Sequence, residues 1–156
     1  MNVSANLPGK PLLIGIGNPL RSDDGLGWRV AEQLAQESDT DYDIHTVHQL
    51  TPELAQWMAN ANLVVMIDAS YEGSPGELHI RPVSHMAQPG PVGTHYSTPE
   101  ELTMLTAGVY GRCPPVVVIT MTGAHFGIGE QLSLIVAERI QLVCEAVRRV
   151  CGNGLY

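Results

Sequence analysis

The sequence is poor in positive charge. It holds eight Lys and Arg residues against sixteen Asp and Glu residues, a formal net charge of -8, and Lys10 is its only lysine. A nucleic-acid-binding surface needs clustered basic residues that neutralise the phosphate backbone. The charge balance therefore argues against a nucleic-acid partner.

Cysteine is equally scarce. The three cysteines, Cys113, Cys144 and Cys151, are an odd number and contain no CxxC pair. This pattern argues against a disulfide framework and against a zinc knuckle. Cys144 and Cys151 are seven residues apart on a predicted helix, a spacing typical of small core residues.

Long hydrophobic runs are missing as well. The first apolar run, near residues 11–16, spans only about six residues, too few for a signal-peptide core or a membrane span. We therefore expect a soluble cytoplasmic protein with no membrane partner. Separately, we expect the isolated protein to be a monomer. A length of 156 residues predicts a single domain over 1–156.

Strand and helix patterns alternate along the chain. Short apolar runs bounded by turn residues predict strands, and apolar positions spaced by three or four predict helices. The predicted strands cover 11–17, 42–49, 63–70, 76–83 and 115–121, and the main predicted helices begin at Ser22, near 51, at Thr98 and near 130. The pattern predicts an α/β three-layer sandwich: a twisted, mostly parallel sheet of about five strands with helices on both faces.

The stretch "IGIGNPLRSDDGLG", residues 14–27, follows the first predicted strand. It is not a dinucleotide fingerprint, because GxGxxG requires glycine where this chain has Leu20 and because two nearby carboxylates would repel a pyrophosphate. The glycines of this stretch predict close approaches of the backbone, and Asn18 is expected to hold the turn by local hydrogen bonds.

The acids of this stretch have a simple local interpretation. Ser22 is predicted to cap the following helix, with Asp23 and Asp24 in its first turn. For Asp23 we expect only the interaction of a helix-terminal charge with the helix dipole, worth ~0.3–1 kcal/mol.

Polar residues follow several predicted strands. Strand one leads into Asn18–Asp24, strand three ends on Asp68, and the loop after strand four contains His85 and His95. In α/β sheets the carboxyl ends of the strands form the ligand-binding edge, so these side chains are expected to meet there. His48 ends strand two near the same edge, and its role is left open.

Four ordered blocks of the sequence resemble the hydrogenase maturation proteases. These endopeptidases trim the C-terminal extension from the large subunit of nickel-iron hydrogenases. The blocks are "GIGNPLRSDDGLG", "VVMIDAS" with "SPGELHI", "GTHYSTPEEL" and "FGIGEQLS", and together they span about residues 12–150. The Gly-x-Gly-Asn-Pro phrase alone also resembles peptidyl-tRNA hydrolase, but that family continues with an Arg-His-Asn element and has a basic substrate face.

The resemblance implies a site of two acids and one histidine. The metal-contacting residues of the family fall on Asp24, Asp68 and His95, and the two acids are also the implied catalytic residues. The implied metal is nickel supplied by the substrate, and the implied partner is the nickel-loaded hydrogenase large-subunit precursor. Two carboxylates and one imidazole suit a borderline divalent ion and leave coordination positions for substrate atoms.

The sequence offers no credible protein nucleophile. It has no GxSxG motif, and Cys113 has no evident base partner. Water is therefore the expected attacking group, activated either by a carboxylate or by nickel. The alternative function is a chaperone that binds the nickel-loaded precursor without cutting it. Peptidyl-tRNA hydrolysis is a third, more remote alternative.

Overall fold

A five-stranded sheet organises the protein. The computed structural model describes residues 9–84 and 98–152. The strands are β1 (Pro11–Ile16), β2 (Asp43–Val47), β3 (Leu63–Ser70), β4 (Leu78–Pro82) and β5 (Val116–Thr122). Their spatial order is β2-β1-β3-β5-β4, and all neighbours are parallel except β4, which pairs antiparallel with β5 at the edge. The predicted mostly parallel sheet is confirmed.

Four helices of the described ranges cover the two faces of the sheet. They are α1 (Leu26–Ala35), α2 (Leu54–Asn60), α3 (Pro99–Tyr110) and α4 (Leu134–Gly152). One core joins the sheet to α1 and α4, and a second core joins the opposite face to α2 and α3. The predicted three-layer arrangement is therefore confirmed. No helix within the described ranges is both long and apolar enough to cross a membrane.

The central strand β3 contributes to both cores. Val65 and Ile67 pack into the core beneath α1 and α4, whereas Val64 and Met66 pack into the core beneath α2 and α3. All four side chains are fully buried. A strand covered on both faces needs apolar side chains at every position, which explains its continuous apolar sequence.

Helix α3 begins as the sequence predicts. The Thr98 hydroxyl accepts a hydrogen bond from the Glu101 N–H at 3.1 Å, and the Glu101 carboxylate accepts one from the Thr98 N–H at 3.2 Å. This reciprocal pair is a capping box, and Pro99 takes the first helical position. The predicted start of this helix is confirmed.

The start of α1 differs from the prediction. Ser22–Gly25 form a 3₁₀ turn, and α1 begins at Leu26. Ser22 is not an N-cap, because it lies within the 3₁₀ turn and neither that turn nor α1 has a side-chain capping bond. Its hydroxyl instead donates to the Gly127 carbonyl oxygen at 2.9 Å, across the fold. The hydroxyl that a local pattern assigned to helix capping is thus a donor to a distant loop. Helix α4 also begins later than predicted, at Leu134 rather than near 130.

Two glycines allow α1 to lie directly on the sheet. A Cβ at Gly27 would lie 2.4 Å from the Ile67 carbonyl oxygen and 2.6 Å from the Ile16 nitrogen. A Cβ at Gly15 would lie 2.4 Å from the Gly27 carbonyl oxygen. These contacts involve backbone atoms, which cannot rotate away, so the predicted close approach of the backbone is confirmed here.

Replacing Gly27 by alanine should destabilise the protein by ~3 kcal/mol or more, because α1 must move away from β1 and β3. Gly108, in α3, is the matched control, since a Cβ there meets nothing within 4 Å. Gly108→Ala should stabilise the protein by roughly 0.5–1 kcal/mol through the higher helix propensity of alanine. Urea unfolding of both variants measures the difference, and equal effects would contradict the packing argument.

Candidate functional site

The predicted acids lie at the switch point of the sheet. β1 and β3 are adjacent, but the chain leaves β1 for β2 on one side and returns to β3 on the other side. Open α/β sheets bind ligands at the carboxyl ends of strands at such a point. Asp24 lies in the segment that follows β1, and Asp68 lies near the carboxyl end of β3. The two acids therefore come from the two segments that flank the switch point.

A tight turn after β1 fixes the position of Asp24. Gly17 has a φ of 136°, and a Cβ there would lie 1.9 Å from the Asp24 carbonyl oxygen, so glycine is required. The Asn18 side-chain oxygen accepts a hydrogen bond from the Leu20 N–H at 2.9 Å. The Asn18 N–H donates to Asp24 Oδ2 at 2.9 Å. The predicted local hydrogen bonds of Asn18 are confirmed.

Asp68 is a partly buried carboxyl group in register with Thr120 of β5. Its Oδ1 accepts a hydrogen bond from the Ala69 N–H at 2.8 Å. Burial raises the pKa of Asp68 to about 7; the Ala69 hydrogen bond opposes that rise, and the negative charge of Asp24 adds to it. The structure thus places Asp24 and Asp68 close enough to interact electrostatically.

Each of the two carboxylates has one oxygen that a backbone N–H anchors. Within the described ranges, Asp24 Oδ2 and Asp68 Oδ1 accept the backbone hydrogen bonds given above, and the second oxygen of each accepts none. Two such oxygens are suited to a divalent cation or to a polar group of a substrate.

Asp23 has a role that local sequence patterns do not reveal. Its side chain is fully buried, and its two oxygens accept four hydrogen bonds of 2.7–3.0 Å. The donors are the backbone N–H groups of Ala124, His125 and Ser133 and the Ser133 hydroxyl. Burial raises the pKa of Asp23, but these hydrogen bonds outweigh burial and hold the pKa below its usual value. The interpretation of Asp23 as a simple helix-terminal charge is wrong.

Backbone hydrogen bonds also join the segment around Asp23 to the loop that follows β5. The Ser22 N–H donates to the Gly129 carbonyl at 2.8 Å, the Gly129 N–H donates to the Leu20 carbonyl at 2.9 Å, and the Asp23 N–H donates to the His125 carbonyl at 3.0 Å. The segment that carries Asp24 is therefore bound along its length to the loop between β5 and α4. We name residues 123–133 the β5 loop.

His48 lies beside the same edge of the sheet. Its ring centroid is 5.2 Å from that of Trp28, and the Trp28 indole N–H donates to the Val47 carbonyl at 3.1 Å. The Val47 carbonyl also accepts the Gly17 N–H at 3.0 Å, which connects this aromatic pair to the turn before Asp24. The sequence placed His48 at the end of strand two; its contact with Trp28 depends on the pairing of β1 with β2.

The cysteines are not activated nucleophiles. Burial raises the pKa of Cys113 and of Cys151 to about 11 and also raises the pKa of Cys144. A nucleophilic cysteine needs a lowered pKa, because the thiolate is the reactive form. The expectation that no cysteine attacks a substrate is therefore supported.

The third predicted site residue, His95, lies outside the described residues. Among residues 9–84 and 98–152, no three His, Cys, Asp or Glu side chains converge in a way that could hold a metal ion. The two acids at the switch point are thus the part of the predicted three-residue site that the structure describes.

Known structures resemble this chain over nearly its whole length. HybD, a hydrogenase maturating endopeptidase from E. coli, superposes with a TM-score of 0.71 at 21% identity, covering 93% of this chain and 94% of its own. The [NiFe] hydrogenase maturation protease HycI from Thermococcus kodakarensis has a TM-score of 0.68 and 25% identity, covering 91% and 92%.

A hydrogenase 2 maturation peptidase from a Thaumarchaeota archaeon has a TM-score of 0.70 and 22% identity, covering 92% of this chain and 98% of its own. This chain has the hydrogenase maturation endopeptidase fold. The resemblance inferred from the four sequence blocks is thereby confirmed at the level of the fold. No family model and no curated protein matches the sequence.

Within this fold, Asp23→Asn should destabilise the protein by ~3–5 kcal/mol. Both Asp23 oxygens face N–H or O–H donors, so either orientation of an asparagine amide would direct its NH₂ group at another donor. Ser133→Ala removes one hydroxyl donor and should cost about 1–2 kcal/mol. Urea unfolding measures both changes. An Asp23→Asn effect below about 1 kcal/mol would restore the helix-terminal interpretation.

The pH dependence of stability should report the buried charge of Asp68. The pKa of Asp68 is about 7 in the folded protein, above its ordinary value of 3.8. The folded state therefore binds the Asp68 proton more tightly than the unfolded state does. The stability that this proton binding contributes is lost as the pH rises through 7. Asp68→Asn should therefore stabilise the protein relative to the wild type more at pH 8 than at pH 5. The difference in the free energy of unfolding between the variant and the wild type should be roughly 2–3 kcal/mol larger at pH 8.

The exposed Glu72 provides the matched control for this measurement. Glu72→Gln removes a carboxylate four residues further along the chain and should show no such difference between the two pH values. A pH-independent effect of Asp68→Asn would contradict a raised pKa at this position.

Proposed function

We propose that this chain is an endopeptidase that removes the C-terminal extension from a nickel-loaded hydrogenase large-subunit precursor. The observation that carries the proposal is the position of Asp24 and Asp68 on the two segments that flank the switch point, in a fold shared with maturation endopeptidases. Ligands bind at this position in open α/β sheets, and the two acids occupy it.

The nickel ion belongs to the substrate in this proposal. The Asn18 and Ala69 N–H groups each fix one carboxylate oxygen, of Asp24 and Asp68 respectively, and among the described residues the other oxygen of each accepts no hydrogen bond. Fixed carboxylates limit the reorganisation that metal contact requires. The family resemblance supplies His95 as the third ligand, and an imidazole nitrogen suits nickel. Three protein ligands would leave coordination positions for atoms of the precursor.

Water is the attacking group in the proposed reaction. The thiols are held protonated by burial, and the carboxylates of Asp24 and Asp68 are groups at the site that can accept a proton. Asp24 and Asp68 bind and orient the metal-bearing end of the precursor. A carboxylate then takes the proton of the attacking water, or the substrate nickel polarises the scissile carbonyl.

Asp24→Asn and Asp68→Asn should each lower processing of nickel-loaded precursor by about 100-fold or more, since an amide keeps the size but loses the charge. His95→Ala should also impair processing. Mass spectrometry of the precursor over time measures loss of the extension, with nickel-loaded and nickel-free precursor compared in parallel. The nickel-free precursor should remain uncut.

Glu145→Gln is the control variant for these assays, because it removes an exposed carboxylate in α4, away from the switch point, and should process normally. Thermal melts confirm that each variant folds. Wild-type rates for both Asp24→Asn and Asp68→Asn would refute the protease proposal. A stable complex with wild-type protein and no loss of mass would instead identify the nickel-checking chaperone.

A further inference from the structure

Three large apolar side chains project into solvent around the acid pair. Leu20 is 57% exposed, Tyr71 is 67% exposed and Ile128 is 97% exposed. They lie in the segments that follow the carboxyl ends of β1, β3 and β5, which are adjacent strands. All three are therefore at the same edge of the sheet as Asp24 and Asp68. We name Leu20, Tyr71 and Ile128 the apolar rim.

The backbone beneath this rim is fixed by hydrogen bonds. The residues on either side of Ile128 both bond to Ser22: the Gly127 carbonyl accepts its hydroxyl at 2.9 Å, and the Gly129 carbonyl accepts its N–H at 2.8 Å. The Gly129 N–H in turn donates to the Leu20 carbonyl, which places the backbones of Leu20 and Ile128 side by side.

Tyr71 is also held in place. Its ring stacks on Phe126 of the β5 loop, with centroids 4.1 Å apart and an angle of 25° between the planes. The rim is thus a preorganised apolar surface that needs little ordering when a partner binds. A single exposed apolar residue is ordinary in a soluble protein, but several fixed together beside a candidate site indicate an interaction surface.

We propose that the apolar rim is the surface on which the hydrogenase large-subunit precursor docks, an inference that rests on the proposed function. Leu20 precedes Asp24 by four residues and Tyr71 follows Asp68 by three, so a partner that brings a metal ion to the acids must cover the rim. A free ion or a small polar ligand would gain nothing from this apolar surface. The occupant is therefore a protein with apolar surface around its metal.

The charge at this edge fits the same partner. Arg21 is the only lysine or arginine in residues 17–24, 68–77 and 123–133, which also hold six Asp and Glu residues. An acidic edge attracts a partner that presents a cation and disfavours acidic surfaces. Apolar contacts at the rim would supply the binding energy, and the acids would select the metal-bearing precursor.

Kinetics of precursor processing by the full-length protein test this assignment. Ile128→Ser and Leu20→Ser should each raise the KM for nickel-loaded precursor by about tenfold, because each removes apolar area from the docking surface. Their kcat should stay within about twofold, since neither side chain is placed in the reacting site. Val109→Ser is the matched control, because Val109 is 63% exposed near the end of α3, which leads to the opposite edge of the sheet.

The possible outcomes separate the inference from the function on which it rests. If the wild type processes the precursor and the rim variants keep their KM, or lose kcat at constant KM, the docking assignment is overturned while the protease function stands. If the wild type neither binds nor processes the precursor, the proposed function fails and the docking assignment fails with it. An equal rise in KM for Val109→Ser would also reject the rim as the specific surface.

Discussion

The buried carboxylate of Asp23 is the interaction on which the candidate site depends. Placing a charge in the interior is costly unless hydrogen bonds replace the lost water. Four donors from the β5 loop do so, and they hold the pKa of this group below its ordinary value. The same bonds fix the segment that carries Asp24 and the loop that carries Ile128. One buried charge thus sets the position of a candidate ligand and of the apolar rim.

For Asp68, burial outweighs hydrogen bonding, the opposite of the balance at Asp23. Asp68 is also removed from water, but a single backbone N–H and the repulsion of Asp24 leave its charged form unfavourable. Both Asp23 oxygens accept structural hydrogen bonds, whereas among the described residues Asp24 and Asp68 each have only one oxygen that does so. Groups with perturbed pKa values cluster at functional sites because such sites sacrifice stability for binding. The contrast between Asp23 and Asp68 distinguishes an acid that stabilises the scaffold from an acid of the candidate site.

Three glycines allow the close backbone contacts that position the acids of the candidate site. Gly15 and Gly27 bring α1 into contact with the backbones of β1 and β3, and Gly17 lets the chain turn directly beneath Asp24. The acids therefore lie on rigid elements rather than on long loops. Rigid placement matters for catalysis and metal recognition, because small displacements of contacting groups are costly.

Local patterns in the sequence determined the sheet, its helices on both faces, the capping box of α3 and the placement of Asp24 and Asp68 near one edge. Each of these follows from side-chain periodicity or from residues a few positions apart, as does the apolar run of β3. The tertiary structure alone decided the roles of Ser22 and Asp23, whose partners Gly127 and Ser133 are more than a hundred residues away. A helix-start pattern cannot distinguish a hydroxyl or carboxylate that serves the helix from one that a distant loop binds, because the competing donors and acceptors arrive only when β5 pairs with β3.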